Sequence, residues 1–159
     1  MKKRVYIFDI DDTLIIHTAD RFDYYTMEND ETLKKLIQSL KKNGCYIYTN
    51  GTYGHGDSVV KNLQLKDEVI TIFARDTIPY MKPDDRSFND VQNDISYRYP
   101  ISKTIFFFDD RLENLKTAFQ MGWFTFWIHP NHSLGNQYDF VTMSFSTIKD
   151  CLTYLETKY

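Results

Sequence analysis

The sequence predicts a three-layer α/β domain: a mostly parallel five-stranded sheet with helices on both faces. Three observations predict it. Apolar runs of strand length alternate with segments of helical periodicity, the order that builds βαβ units and a parallel sheet. Several of those runs are unbroken rather than alternating, as strands covered on both faces should be. The chain has 159 residues, 42% hydrophobic and 26% charged, which suits one globular domain whose core needs no disulfide or metal.

The elements follow in order. Residues 3–9 are apolar up to a closing acid and read as the first strand. Residues 30–42 put Leu33, Leu36, Ile37 and Leu40 on one helical face, and Gly44 stands where a helix is expected to close. Residues 45–50 are the second strand. Residues 57–65 read as a helix with Asp57 as N-cap and Val60 and Leu63 inward. Residues 69–74 are the third strand, and residues 84–95 a helix carrying Phe88, Val91 and Ile95. Residues 104–109 are the fourth strand. Residues 112–121 are a helix with Leu112, Leu115 and Phe119 inward, closed by Gly122. Residues 123–128 are the fifth strand. Residues 147–157 are a last helix with Ile148, Cys151, Leu152 and Leu155 at helical spacing. The least regular stretches are 15–29, 75–83 and 129–146.

Composition removes several functions. No apolar run approaches the roughly 18 residues of a membrane helix. The apolar part of the amino-terminal stretch is too short for a signal peptide. A net charge of −3 and a pI near 5.8 leave the whole chain without the footprint of a nucleic-acid binder. Cys45 and Cys151 both lie in apolar patterns and read as core residues, which fits a reducing, cytoplasmic setting. Aromatics reach 16%, while alanine occurs only at positions 19, 74 and 118, so the core is built from rings and branched aliphatics.

The chemistry lies where the strands end. Strand one runs into Asp9-Ile10-Asp11-Asp12-Thr13, strand two into Thr49-Asn50-Gly51, and strand four into Asp109-Asp110. In an open parallel sheet, ligands bind beyond the carboxyl ends of the strands, so these groups should surround one crevice. Two carboxylates about 4 Å apart repel by about 4 kcal/mol at an effective dielectric near 20. Several together call for bound protons or a cation, and oxygen ligands suit a hard cation such as Mg²⁺.

These residues resemble the haloacid dehalogenase (HAD) superfamily, most of whose members are Mg²⁺-dependent phosphatases. The resemblance covers nearly the whole chain and rests on four ordered motifs: Asp9-Ile10-Asp11-Asp12-Thr13-Leu14, Thr49 after Tyr46-Ile47-Tyr48, Lys82 in Met81-Lys82-Pro83, and Asp109-Asp110 after residues 105–108. It implies a Rossmann-like (HAD-like) fold and a phosphate monoester as substrate. It implies that Asp9 attacks phosphorus to form an aspartyl-phosphate and that Asp11 acts as general acid, then base. Thr49 would hydrogen-bond the phosphoryl group and Lys82 offset its charge. Asp9, Asp109 and the backbone carbonyl of Asp11 would hold Mg²⁺, with Asp110 as a further or water-mediated partner. Asn50 offers an amide and Gly51 an open backbone N–H near the phosphate. Arg111 either pairs with nearby acids or reaches substrate. Asn114 is expected to order the Asp109–Asp110 loop.

Substrate choice in this family usually sits in an inserted cap. Asp9 and Thr49 are 40 residues apart, Thr49 and Lys82 33, and predicted elements use most of both spans. The chain therefore resembles the capless branch, a single catalytic domain over residues 1–159 in which 15–29 is at most a short flap. An open site suits a macromolecular phosphate, or a small metabolite or nucleotide if a second copy of the chain covers it. Phe22, Tyr24, Tyr25 and Tyr53 are the aromatics left as candidates for ligand contact. Motif spacing also resembles pyrimidine 5′-nucleotidases and the phosphatase half of polynucleotide kinase-phosphatases, which makes a nucleotide or polynucleotide end an alternative substrate. A non-enzymatic phosphate- or partner-binding relative is the alternative of a different class.

Overall fold

Six strands form one sheet in the order β3-β2-β1-β4-β5-β6, with every neighbouring pair parallel. They are β1 (Lys3–Phe8), β2 (Gly44–Tyr48), β3 (Thr71–Phe73), β4 (Lys103–Asp109), β5 (Phe124–Ile128) and β6 (Met143–Phe145). The helices are α1 (Glu31–Ser39), α2 (Tyr53–Asn62), α3 (Asp85–Arg98), α4 (Leu112–Gln120) and α5 (Ile148–Lys158). The computed structural model describes residues 2–17 and 30–158. Most of the expected flap at 15–29, with Phe22, Tyr24 and Tyr25, lies outside the described residues.

Side chains alternate across the sheet and make two cores. Tyr6, Phe8, Ile47, Phe106 and Phe108 face α1, α2 and α5. Val5, Ile7, Tyr46, Tyr48 and Phe107 face α3 and α4. The rings stack along the first face, with Phe8 and Phe108 centroids 4.6 Å apart and Phe108 and Phe126 5.0 Å apart. This is how a chain poor in alanine closes both layers.

The three-layer reading holds, but the sheet has six strands rather than five. The sixth, β6, is a three-residue, half-buried edge strand inside the stretch read as irregular. It is held by pairing with β5, a long-range contact that three residues do not announce. The helix expected at 57–65 begins earlier, at Tyr53, and Thr52 caps it rather than Asp57. Two glycines in Tyr53-Gly54-His55-Gly56 hide its first turn from a propensity reading. Packing decides it: a Cβ on Gly56 would sit 3.0 Å from Ile72 Cγ2. Gly44 does not close α1 but opens β2, where a Cβ would meet Tyr99 Oη at 2.7 Å. Gly122 does close α4, at φ 84°. Phe119 is exposed, and Ala118 occupies the core position instead.

The order 3-2-1-4-5-6 reverses direction between β1 and β4. That switch point opens a crevice at the carboxyl ends of the central strands. Asp9 and Asp109 stand on its two sides.

Candidate active site

A tight turn follows β1. The carbonyl of Ile10 accepts the backbone N–H groups of Thr13, Leu14 and Ile15 at 3.2, 3.0 and 3.1 Å. Asp12 closes the turn at φ 60°, a left-handed conformation that aspartate tolerates better than most residues. The turn keeps Asp9 at the crevice floor, buried. Thr13, fully buried, donates its hydroxyl to Asp9 Oδ2 at 3.0 Å.

Lys82 reaches the same floor from the turn before α3. Its ammonium donates to Asp9 Oδ1 at 3.0 Å, Asp109 Oδ2 at 2.8 Å and the Tyr48 carbonyl at 2.8 Å. Those three bonds use all its protons. The Lys82 backbone is fastened to Asn50 in both directions, at 2.9 Å each way. Asp109 is fully buried, accepts the Arg111 backbone N–H at 2.9 Å and the Asn114 amide at 3.1 Å, and so is ordered as expected by Asn114.

Carboxylate oxygens of Asp9, Asp109 and Asp110 lie within 4.8 Å of one another. The Lys82 ammonium touches two of these three acids, Asp9 and Asp109, and the protonation balance shows the imbalance. Burial, then the charge of Asp109, push the Asp9 carboxyl up to about 6 against the pull of Lys82. Burial, then Asp109 and Asp9, push Asp110 up to about 8. Burial alone would lower Lys82, yet Asp109 and Asp9 carry it above its ordinary value. A cluster that holds protons this tightly suits a hard cation in their place. The buried Oδ1 of Asn114, at the wall of the same hollow, has no hydrogen-bond partner among the described residues. Donor chemistry and geometry therefore fit Mg²⁺.

The hollow over the cluster measures about 180 Å³ and takes walls from all three strand ends, among them Asp11, Thr49, Lys82 and Arg111. A larger hollow of about 770 Å³ opens at the opposite end of the sheet, beside Arg4, Lys41 and Phe124, and contains no carboxylate. The smaller one is the candidate active site, because the acids with raised carboxyls line it.

Two sequence expectations change. The Gly51 N–H is not open to a phosphate, because it donates to Thr49 Oγ1 at 3.0 Å. The Asn50 amide is committed to the Lys82 backbone and acts on the site through that lysine. The Asp11 carboxylate stands outside the acidic cluster, whereas that of Asp110 is inside it. Arg111 lines the hollow, and its guanidinium lies 3.6 Å from Glu113. Tyr53 faces a separate hollow near Asp57 and Ile72.

Sequence reasoning did not place His17 and His55 on Asp11. Both bring Nε2 to 3.0 Å from Asp11 Oδ1. The available signal was position: each follows a motif-bearing strand end by a few residues, His17 after Asp11 and His55 after Thr49.

Comparison with known proteins places the architecture. The chain superposes on YfnB of Bacillus subtilis, an assigned HAD hydrolase solved with magnesium bound, with TM-score 0.70 and 17% identity over 98% of this chain and 99% of that one. The chain has the HAD-like fold. It also superposes on the core domain of a protein assigned as a phosphoglycolate phosphatase from Streptococcus pneumoniae, with TM-score 0.64 and 16% identity over 99% of this chain and 98% of that one. With L-2-haloacid dehalogenase of Xanthobacter autotrophicus the TM-score is 0.61 at 12% identity, over 86% of this chain. The chain spans only 64% of that dehalogenase. No family model and no curated protein matches the sequence. No helix among the described residues is long and apolar enough to cross a membrane.

Proposed function

We propose that the protein is a HAD-type hydrolase, a Mg²⁺-dependent phosphatase that transfers the phosphoryl group of a monoester to Asp9 and then to water. One observation carries this reading: Asp9 lies at the floor of the crevice with Oδ1 held by Lys82, Oδ2 held by Thr13, and two further acids within 4.8 Å. Three clustered carboxylates also favour phosphate over a haloacid. Displacing halide from carbon needs no cation, and so many acids would only repel the departing anion.

In the first step an oxygen of Asp9 forms a bond to phosphorus and the ester P–O bond breaks. Asp11, at the rim, gives a proton to the leaving oxygen. In the second step water attacks the aspartyl-phosphate, Asp11 takes the water's proton, and inorganic phosphate leaves with the Asp9 carboxylate restored. Thr49 donates to a phosphoryl oxygen, and Lys82 offsets the charge that gathers on Asp9 and phosphate. Asp9, Asp109, Asp110 and the backbone carbonyl of Asp11 would hold the metal. When bound, Mg²⁺ screens the acids from the phosphate and stabilises charge during transfer.

We read the chain as one catalytic domain without a cap, and the open hollow as suited to a phosphorylated macromolecule or nucleotide end. A small metabolite would need a second copy of the chain over the site. The test is phosphate release with Mg²⁺ across mononucleotides, 3′-phosphorylated DNA ends, phosphopeptides and sugar phosphates, with chloropropionate as a haloacid control. Phosphate release from bulky substrates is expected. Halide release without phosphate release would overturn the reading.

A further inference from the structure

We propose that His17 and His55 are positioning residues that together hold Asp11 by one carboxylate oxygen, so that its other oxygen is the one presented to the leaving group. The proposal rests on the phosphatase reading and adds two residues to it. Both imidazole Nε2 atoms lie 3.0 Å from Asp11 Oδ1. A carboxylate oxygen has two lone-pair directions, so two rings that each carry a proton on Nε2 fill one oxygen and leave the second for proton transfer.

The two rings come from different elements, and each is anchored at its backbone. The His17 N–H donates to Asp12 Oδ1 at 3.0 Å, within the turn that follows β1. The His55 N–H donates to the Thr52 hydroxyl at 3.2 Å, in the first turn of α2. The His55 ring also packs against the bare backbone of Gly51, where a Cβ would stand 3.1 Å from Cδ2. The Asp11 side chain is 39% exposed, more than the two rings that hold it, at 26% and 16%. An acid that exposed would otherwise sample its rotamers in water. Proton transfer in the transition state demands a fixed donor position, and a small misplacement is costly.

The experiment uses the full chain with Mg²⁺ and a series of aryl phosphates from phenyl to dinitrophenyl phosphate. A dinitrophenolate departs without a proton, whereas a phenolate benefits from one. The slope of log kcat/KM against leaving-group pKa therefore reads how well Asp11 delivers its proton. For His17→Ala, His55→Ala and the double variant the slope steepens toward that of Asp11→Asn. Phenyl phosphate loses on the order of 100-fold and dinitrophenyl phosphate less than about threefold, the scale of general acid catalysis. His55→Gln, whose amide can donate to the same oxygen, recovers most of the shallow slope.

Failure of the underlying reading looks different from failure of this inference. If wild type hydrolyses no member of the series, or Asp9→Asn matches wild type, the phosphatase reading falls and this inference with it. If wild type is active, Asp9→Asn is not, and the histidine variants keep the wild-type slope, only the positioning role is overturned. Parallel lines displaced downward, with lowered melting temperatures, would show a structural role and overturn it equally.

Discussion

Replacing Lys82 with methionine removes one charge while nearly keeping the side chain's length. The ammonium it deletes is buried and donates to Asp9, Asp109 and the Tyr48 carbonyl. The two carboxylates it separates have oxygens within 4.8 Å, a repulsion of about 3.5 kcal/mol at an effective dielectric of 20. Breaking a buried ion pair by removing one partner costs about 3–5 kcal/mol, which agrees with that figure. For a domain of this size the melting temperature should fall by roughly 6–20 °C at pH 8. The loss should shrink on acidification. Asp9 is already pushed up from 3.8 to about 6, so the folded state takes up a proton in that window that the unfolded chain does not. Without Lys82 the carboxyl rises further, and falling pH relieves more of the repulsion in the variant than in wild type. Thermal melts at pH 8 and pH 5, without Mg²⁺, read both effects. A loss below about 1 kcal/mol at pH 8, against the expected cost of a broken buried pair, would refute the reasoning. So would a loss equal at both pH values.

Three further outcomes are expected. Asp9 and Asp110 hold protons up to about 6 and about 8, so their charged forms appear in the fold only as pH rises through that window, and stability without metal should decline there. Mg²⁺ bound at these acids would displace those protons, so the rise in melting temperature it produces should be larger at pH 8.5 than at pH 5.5, and a pH-independent rise would contradict this. Asn50→Ala deletes both bonds to the Lys82 backbone and should cost about 1–2 kcal/mol in urea unfolding, with phosphate release reduced because Lys82 is no longer fixed. Unchanged stability and activity would show that the amide is not what fastens the lysine.

The acidic floor of the crevice was legible because a parallel sheet gathers its strand ends. Asp9, Thr49 and Asp109 close apolar runs, and β1, β2 and β4 are neighbours, so their proximity follows from strand order. Lys82 was legible through its place among the four motifs together with its neighbours, Arg75-Asp76 before it and Pro83, Asp84 and Phe88 after it. The commitments of individual donors were not legible. Whether the Gly51 N–H faces a phosphate or the Thr49 hydroxyl is decided by a turn, and whether Asn50 faces ligand or backbone by the path of a loop 32 residues away. The pairing of His17 and His55 on Asp11 joins the turn after β1 to the first turn of α2, a turn that Gly54 and Gly56 kept hidden. Strand β6 was lost for the same reason: its order comes from its neighbour and not from its own residues.

The central claim is that Asp9 is the group that takes the phosphoryl. Release of inorganic phosphate from an aryl phosphate, measured with and without Mg²⁺ for wild type beside Asp9→Asn, tests it most directly. Asp9→Asn keeps the size of the side chain and removes the nucleophilic carboxylate. The account predicts Mg²⁺-dependent release by wild type and none above background by the variant. Release by Asp9→Asn at the wild-type rate would contradict it.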